Sequence, residues 1–281
     1  MNQANHDPFE PEYFLKKAPH WRENLVYFPT IDSTNLEARK RLRGSQGYSP
    51  REMVLVTDKQ TAGRGRLNRT WEAPFASGLL CTLTLPLAPL PLDRAYLYTA
   101  SLALSLQESA WQQAGVELQL KWPNDLLRDG RKCCGILAEI EQGLGSDRNE
   151  SWLALGFGLN TGLSEQDFAA AGLTGKATNV IPPGSPTLDR EAFLAATLAT
   201  LQGYRDQLTR DPEEVSRAWS DRLITLGKPV EVRNMGGDKQ LDGLAIGVGP
   251  NGGLQVRTAG GQVHIVQAGD VSVRLAGGSY A

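Results

Sequence analysis

Apolar residues in this chain cluster, alternate or recur every three to four positions in well-separated stretches, and these stretches predict its elements. Met53–Thr57 is a compact run rich in β-branched residues and 78–85 alternates over a longer span, so both read as strands and the glycine-rich segment between them as a loop. Over 95–115, Leu97, Ala100, Leu104 and Trp111 recur at helical spacing with no internal Pro or Gly, which predicts a long buried helix. Residues 118–122, then 135–141 with Ile136, Ala138 and Ile140 on one face, then 152–160, predict an antiparallel meander against that helix.

Shorter elements frame these. Asp32, Ser33 and Thr34 are capping-type residues, and Glu37 stands three after Thr34 as in a capping box, so 36–42 reads as a short helix stopped near Gly44. The opening stretch to Trp21, rich in Pro and charge, reads as an arm packed on the surface or partly disordered. Pro and Gly punctuate 174–186, and helical character returns over 189–208 and 212–226. After Gly227 the texture changes to short β-rich runs at 229–232, 244–248, 254–257, 263–266 and 271–275, separated by Gly, Asn or Asp, which predicts a small barrel or sandwich. The polar, glycine-rich tail from Ala276 contributes little core. The whole is an α+β pattern, divided as 1–226, with 1–21 as its arm, and 227–281.

Composition narrows the function classes. At 281 residues and 41% hydrophobic, the chain has enough material for one large core and a smaller second one. With 29 basic and 31 acidic residues it carries no global positive field, so any anion site is local and non-specific nucleic-acid binding is not expected. Three cysteines, two of them adjacent at Cys133 and Cys134, offer neither a disulfide framework nor metal-ligand spacing, and read as small buried hydrophobes in a reducing, cytoplasmic setting. No basic-then-apolar leader opens the chain and no apolar run of about 18 residues interrupts it, so no membrane partner is expected.

Two segments carry chemistry. Gly63-Arg64-Gly65-Arg66-Leu67-Asn68-Arg69-Thr70-Trp71 interleaves glycines with three guanidinium groups and ends in an indole. Glycines let backbone N–H groups approach an anion, and arginine offers planar donors that match phosphate or carboxylate oxygens in pairs. A solvated basic turn and an RNA-binding glycine–arginine tract are the competing readings, the latter opposed by the segment's being single and lying between strands. The second segment is Lys121-Trp122-Pro123-Asn124-Asp125, followed by Lys132 and Gly135. Pro123 biases Trp122 toward extended geometry, and Asn124 and Asp125 form turns, so a strand ends here with polar groups exposed; a plain β-turn explains the same residues.

Taken together and in order, Ser33-Thr34-Asn35, Gln60, GRGRLNRTW, KWPND, Lys132 with Gly135, and GFGLN ending at Asn160 resemble the biotin protein ligase family. The resemblance is strongest from Ile31 to Asn160 and weaker through the C-terminal β region. It implies a class II synthetase-like catalytic domain, a mixed or antiparallel sheet with helices on one side, and a small SH3-like β-barrel. It also implies a two-step reaction: biotin and ATP, with Mg²⁺, form biotinyl-5′-adenylate, and the biotinyl group passes to a lysine of a biotin carboxyl carrier protein or carboxylase carrier domain. By the same resemblance Ser33, Thr34, Asn35, Gln60, Gly63, Arg64, Arg66, Lys132 and Gly135 hold biotin. Arg66, Arg69, Trp71, Asn124, Asn160 and Arg274 meet the nucleotide, and Lys132, Arg64, Arg66 and Asp125 are catalytic. No metal ligand is assigned except Asp125 acting through water, and Asp125 equally suits deprotonation of the acceptor amine, oriented by Asn124. Fixed positive charge fits the chemistry, because a carboxylate must attack a phosphate against their mutual repulsion.

One residue departs from the family pattern: Asn68 stands where Gly is usual; asparagine tolerates the left-handed region better than most residues, so the turn is expected to survive at modest cost, while direct approach of ligand to that backbone is put in doubt. Some thirty residues precede the Ser33 motif without the paired amphipathic helices of a DNA-binding module, so neither repressor function nor DNA binding is expected. A monomer or weak homodimer is expected. A lipoate or octanoate protein ligase or transferase is the nearest rival, and a non-catalytic biotin- or carrier-binding module is the rival from another class.

Overall fold

The computed structural model describes residues 7–44, 50–145, 148–234, 237–268 and 271–275. In chain order these form α1 (Pro11–Lys17), β1 (Leu25–Phe28), α2 (Thr34–Arg43), β2 (Met53–Thr57), β3 (Gly78–Pro86), α3 (Tyr96–Ala114), β4 (Gln119–Lys121), β5 (Asp125–Arg128), β6 (Arg131–Leu144) and β7 (Glu150–Asn160). There follow α4 (Glu165–Ala170), α5 (Arg190–Arg210), α6 (Pro212–Asp221), β8 (Pro229–Asn234), β9 (Lys239–Val248), β10 (Leu254–Arg257), β11 (Val263–Val266) and β12 (Val271–Leu275). A seven-stranded mixed sheet has the order β1-β2-β3-β7-β6-β5-β4, with β1 parallel to β2 and the other pairs antiparallel. A second, antiparallel sheet has the order β11-β10-β9-β8-β12.

Alternation along β7 explains how the large sheet is covered. Leu153, Leu155, Phe157 and Leu159 face the main core, where α3, α5 and α6 pack. Ala154, Gly156 and Gly158 fall on the opposite face by the two-residue period of a strand. There α2 packs through Ala38 against Met53, Leu55 and Ala154. The expectation of helices on one side is therefore corrected: the long helices share a face, and α2 occupies the other. Its presence is possible because β7 is small beneath it, at Ala154, Gly156 and Gly158; a Cβ on Gly156 would lie 1.9 Å from Asn35 Oδ1.

Several expectations change for local reasons. The N-terminal arm is part of the core: Phe9, Phe14 and Leu15 are buried, α1 packs on α5, and only 1–6 lie outside the described residues. Ser33, not Thr34, caps α2, its hydroxyl accepting from the Leu36 N–H, and Glu37 pairs instead with Arg41 one turn on. Trp111 lies in the last turn of α3, all of which is exposed, and is itself 64% exposed. The turn expected after Trp122 is short and leads at once into β5, whose Leu126 and Leu127 are fully buried; Asn124 and Asp125 are accordingly partly buried.

The small sheet does not form a separate core. Val230, Val232, Ala245, Leu254 and Val256 belong to the same buried cluster as the large sheet. Trp122 Nε1 donates to the Gly252 carbonyl at 3.0 Å, and Gly252, at φ +78, lies flat against Tyr96 of α3. The C-terminal sheet thus buttresses the back of the turn that follows β4. No helix among the described residues is long and apolar enough to cross a membrane.

Candidate active site

On the α2 face of the large sheet lies a cleft of about 760 Å³. Its floor is the glycine row: Gly135 of β6 pairs with Gly158 of β7, and Gly156 follows on the same face. Small residues here leave room for a ligand and for the segment that covers it.

That cover is a tight hairpin over 63–71. Trp71 N–H donates to Gly63 O at 3.0 Å, Gly65 N–H to Arg69 O at 2.7 Å, and Arg64 bridges Thr70. Gly63 is required at the base, since a Cβ there would lie 2.1 Å from Trp71 O. The left-handed residue is Leu67, at φ 58 and ψ 38, rather than Asn68. A leucine in that region costs about 1–2 kcal/mol, so the tip of the hairpin is held strained by its base.

Each flap side chain meets a different partner. Trp71 lies on the glycine floor, where a Cβ on Gly158 would sit 2.5 Å from its indole and one on Gly135 3.1 Å. Its Nε1 is buried without a hydrogen-bond partner. Arg66 Nη1 donates to Asn124 Oδ1 at 2.8 Å, while its Nη2 is buried and unpartnered. Burial holds the Arg66 guanidinium below its ordinary pKa against the pull of Asp125, and Arg69 adds to the lowering. A guanidinium remains protonated even so, which leaves a desolvated cation suited to an anion. Arg64 reaches Glu139 on β6 at 3.2 Å.

Across the cleft, Lys132 projects from β6 with Nζ 2.5 Å from Asp125 Oδ1 and 5.4 Å from the Trp71 ring centre. Asp125 opens β5 in register with Gly135. Asn124 is braced by mutual bonds with Ile136, its Nδ2 donating to the carbonyl at 2.5 Å and its own carbonyl accepting at 2.9 Å. At the α2 end, Gln60 Oε1 accepts from Thr34 N–H at 2.9 Å and from its hydroxyl at 3.2 Å. Asn35 Nδ2 donates to Leu137 O at 3.2 Å, and its Oδ1 lies 2.6 Å from the Thr82 hydroxyl. Ser33, Thr34, Asn35, Gln60, Arg64, Arg66, Arg69, Trp71, Asn124, Asp125, Lys132 and Gly135 all line this one cleft.

Two site residues named from sequence stand elsewhere. Gly63 holds the hairpin base, and Asn160 is buried and donates to Thr178 O at 3.1 Å, neither lining the cleft. The Arg274 side chain and Asp270 lie outside the described residues, although Val273 of β12 reaches the cleft wall. Cys133 and Cys134 are fully buried; burial pushes the Cys133 thiol up to about 12, and both serve as packing. Sequence reasoning missed Thr82, Glu139, Arg131 and Lys176. Thr82 stands in a strand whose alternation alone assigned it a face, and Lys176 sits in a Pro- and Gly-rich stretch read only as loop. Lys176 O accepts from Lys132 N–H at 2.9 Å, which no local pattern announces.

Electrostatically the cleft is the exception in this chain. Seven basic side chains line it against two acidic ones, Asp125 and Asp129, whereas the whole chain carries a formal charge of -2. Cations gathered in a partly dry cleft focus their field on an anionic ligand. Such a site can hold a carboxylate and a phosphate side by side.

Comparison with known proteins agrees. Residues 27–146 match the biotin/lipoate A/B protein ligase family, and 225–274 match the biotin protein ligase C terminal domain. The biotin–[acetyl-CoA-carboxylase] ligase of Paracoccus denitrificans is 32% identical over 245 residues, 85% of this chain and 96% of its own length. The bifunctional ligase/repressor BirA of Bacillus spizizenii is 29% identical over 247 residues, 88% of this chain and 73% of its own. Among solved structures, the biotin protein ligase from Aquifex aeolicus in complex with biotin and ATP superposes with a TM-score of 0.70 at 25% identity, covering 90% of this chain and 99% of that one. The likeness covers most of the chain, with one family model over the first part and another over the C-terminal sheet, and the chain belongs to the biotin protein ligase family.

Proposed function

We propose that this protein activates biotin with ATP as biotinyl-5′-adenylate and transfers the biotinyl group to a lysine of a carboxylase carrier protein. The observation that carries this reading is the meeting of the arginine flap and Lys132 across one cleft, over a floor stripped of side chains. In the first step an oxygen of the biotin carboxylate attacks the α-phosphorus of ATP and pyrophosphate leaves. Arg66, desolvated and with one nitrogen unpartnered, and Arg69 would neutralise phosphate oxygens, and Lys132 would pair with the carboxylate; their sharing one cleft supports this reading. Removing one such preorganised contact typically costs on the order of 3 kcal/mol at the transition state.

In the second step the acceptor amine attacks the acyl carbonyl and AMP leaves. The amine must arrive neutral, and Asp125, already bound to one ammonium, is the carboxylate at hand to take its proton. Magnesium typically binds through one or two carboxylates plus substrate phosphates, and Asp125 in the cleft fits that role; the ion would neutralise the departing pyrophosphate. Among the described residues no group of three or more His, Cys, Asp or Glu gathers to hold a metal without the nucleotide. Ser33, Thr34, Asn35 and Gln60 supply the hydroxyl and amide groups for the polar ring of biotin. The match to the biotin protein ligase C terminal domain favours biotin over lipoate as cargo. A cytoplasmic setting belongs to the same reading.

Incubation with biotin, ATP and magnesium is expected to release pyrophosphate only when biotin is present, and to biotinylate a carrier lysine when a carrier domain is added. Binding without turnover, or turnover with lipoate or octanoate instead of biotin, would overturn the proposal.

A further inference from the structure

Glu139 lies on β6, four positions beyond Gly135, and does not line the cleft, yet three donors from two elements that shape the cleft, α2 and the flap, converge on its carboxylate. Oε1 accepts from Arg39 Nη1 of α2 at 2.7 Å and from Arg64 Nη1 of the flap at 3.2 Å. Oε2 accepts from Asn35 Nδ2 at 3.1 Å. The side chain is 17% exposed, so these contacts are partly shielded from solvent, and a carboxylate taking three donors is worth more than an isolated surface pair. Arg39 is itself fixed by Glu141, so the α2 side of the cluster is anchored independently of the flap.

Among the described residues, two side-chain hydrogen bonds tie the flap to its surroundings beyond its own base. One is Arg66 to Asn124 beside Lys132; the other is Arg64 to Glu139 beside α2. We propose that Glu139 is a positioning residue that latches the flap to α2, so that the helix bearing Ser33, Thr34 and Asn35 and the hairpin that covers the adenylate close as one body. It touches no reacting atom. Its carboxylate fixes Arg64 at the α2 end and, through Asn35, holds the amide that meets Thr82. The consequence is kinetic: the latch governs how long the intermediate stays covered rather than how fast it forms. This inference rests on the adenylate reading above.

The test is the dissociation rate of biotinyl-adenylate formed in place by the full-length protein, with Glu139→Gln, Arg64→Ala and the double variant compared with wild type. Glu139→Gln is expected to speed release by about tenfold, the loss of one charge-assisted hydrogen bond, and Glu139→Asp to restore part of it. In the Arg64→Ala background the same substitution is expected to change the rate little, because the latch is already open. A merely structural role would give the same acceleration with or without Arg64. Release of adenylate from Glu139→Gln at the wild-type rate, or an effect undiminished in the double variant, would overturn the latch. Failure of the wild-type protein to form adenylate at all would instead overturn the function on which it rests.

Discussion

Arg66 combines desolvation with incomplete satisfaction of its hydrogen bonds. One guanidinium nitrogen is held by Asn124, the other is buried with nothing to meet, and nearby Arg69 adds unfavourable like charge. An unsatisfied buried donor costs about 1–3 kcal/mol, a cost that an anion in the cleft would relieve. Arg66→Ala is therefore expected to accelerate loss of bound adenylate by tenfold or more, read from its dissociation rate; an unchanged rate would contradict the role. At this scale the sequence was legible where residue type and chemistry coincide, as for Arg66, Lys132 and Asp125, which do share one cleft. It was illegible where backbone geometry decided, so that the strained position fell at Leu67, and where a partner came from a distant strand, as with Thr82 and Glu139.

The flap and the strand beneath it form a single mechanical unit. Glycine weakens a strand interior, and β7 accepts that loss at Gly156 and Gly158 because α2 and Trp71 need the space. Gly158→Ala is expected to fold, since alanine suits a strand at least as well, while its Cβ displaces the indole and lifts the flap. Biotin affinity measured by titration calorimetry should fall about tenfold or more, and wild-type affinity would show that Trp71 does not seat there.

A second unit ties the arm to the site. Asp58, fully buried, accepts from Phe9 N–H, from the Tyr27 hydroxyl at 2.6 Å and from Arg190 at 2.9 Å, two residues before Gln60. Arg190 also donates to Gly78 O at 2.9 Å and Asp7 O at 2.7 Å. Arg190→Met leaves the carboxylate without its cation, and urea unfolding should show a loss of about 3–5 kcal/mol; a loss under 1 kcal/mol would contradict the network. Nothing local in PFEPEYF reveals this packing, because its partners lie some 50 and 180 positions away. The five C-terminal strands and the long helices were legible, by contrast, because periodicity and turn residues are local.

Across the whole molecule, charge and core are distributed differently from what a division into halves suggests. One continuous core runs from the large sheet into the small one, so the C-terminal sheet supports the turn bearing Asn124 and Asp125 from behind. The near-neutral chain sets seven basic side chains against two acidic ones in the cleft, a local excess that composition alone could not disclose. Motif order along the sequence carried the family, and the fold brought motifs as far apart as Ser33 and Gly158 into one lining.

The measurement that bears most directly on that convergence is single-turnover formation of biotinyl-adenylate by Lys132→Ala. The side chain is 23% exposed and paired with Asp125, so the variant is expected to lose part of its stability yet remain folded, while adenylate formation slows by about a hundredfold or more. Wild-type formation rates in a folded Lys132→Ala protein would contradict the assignment of this cleft.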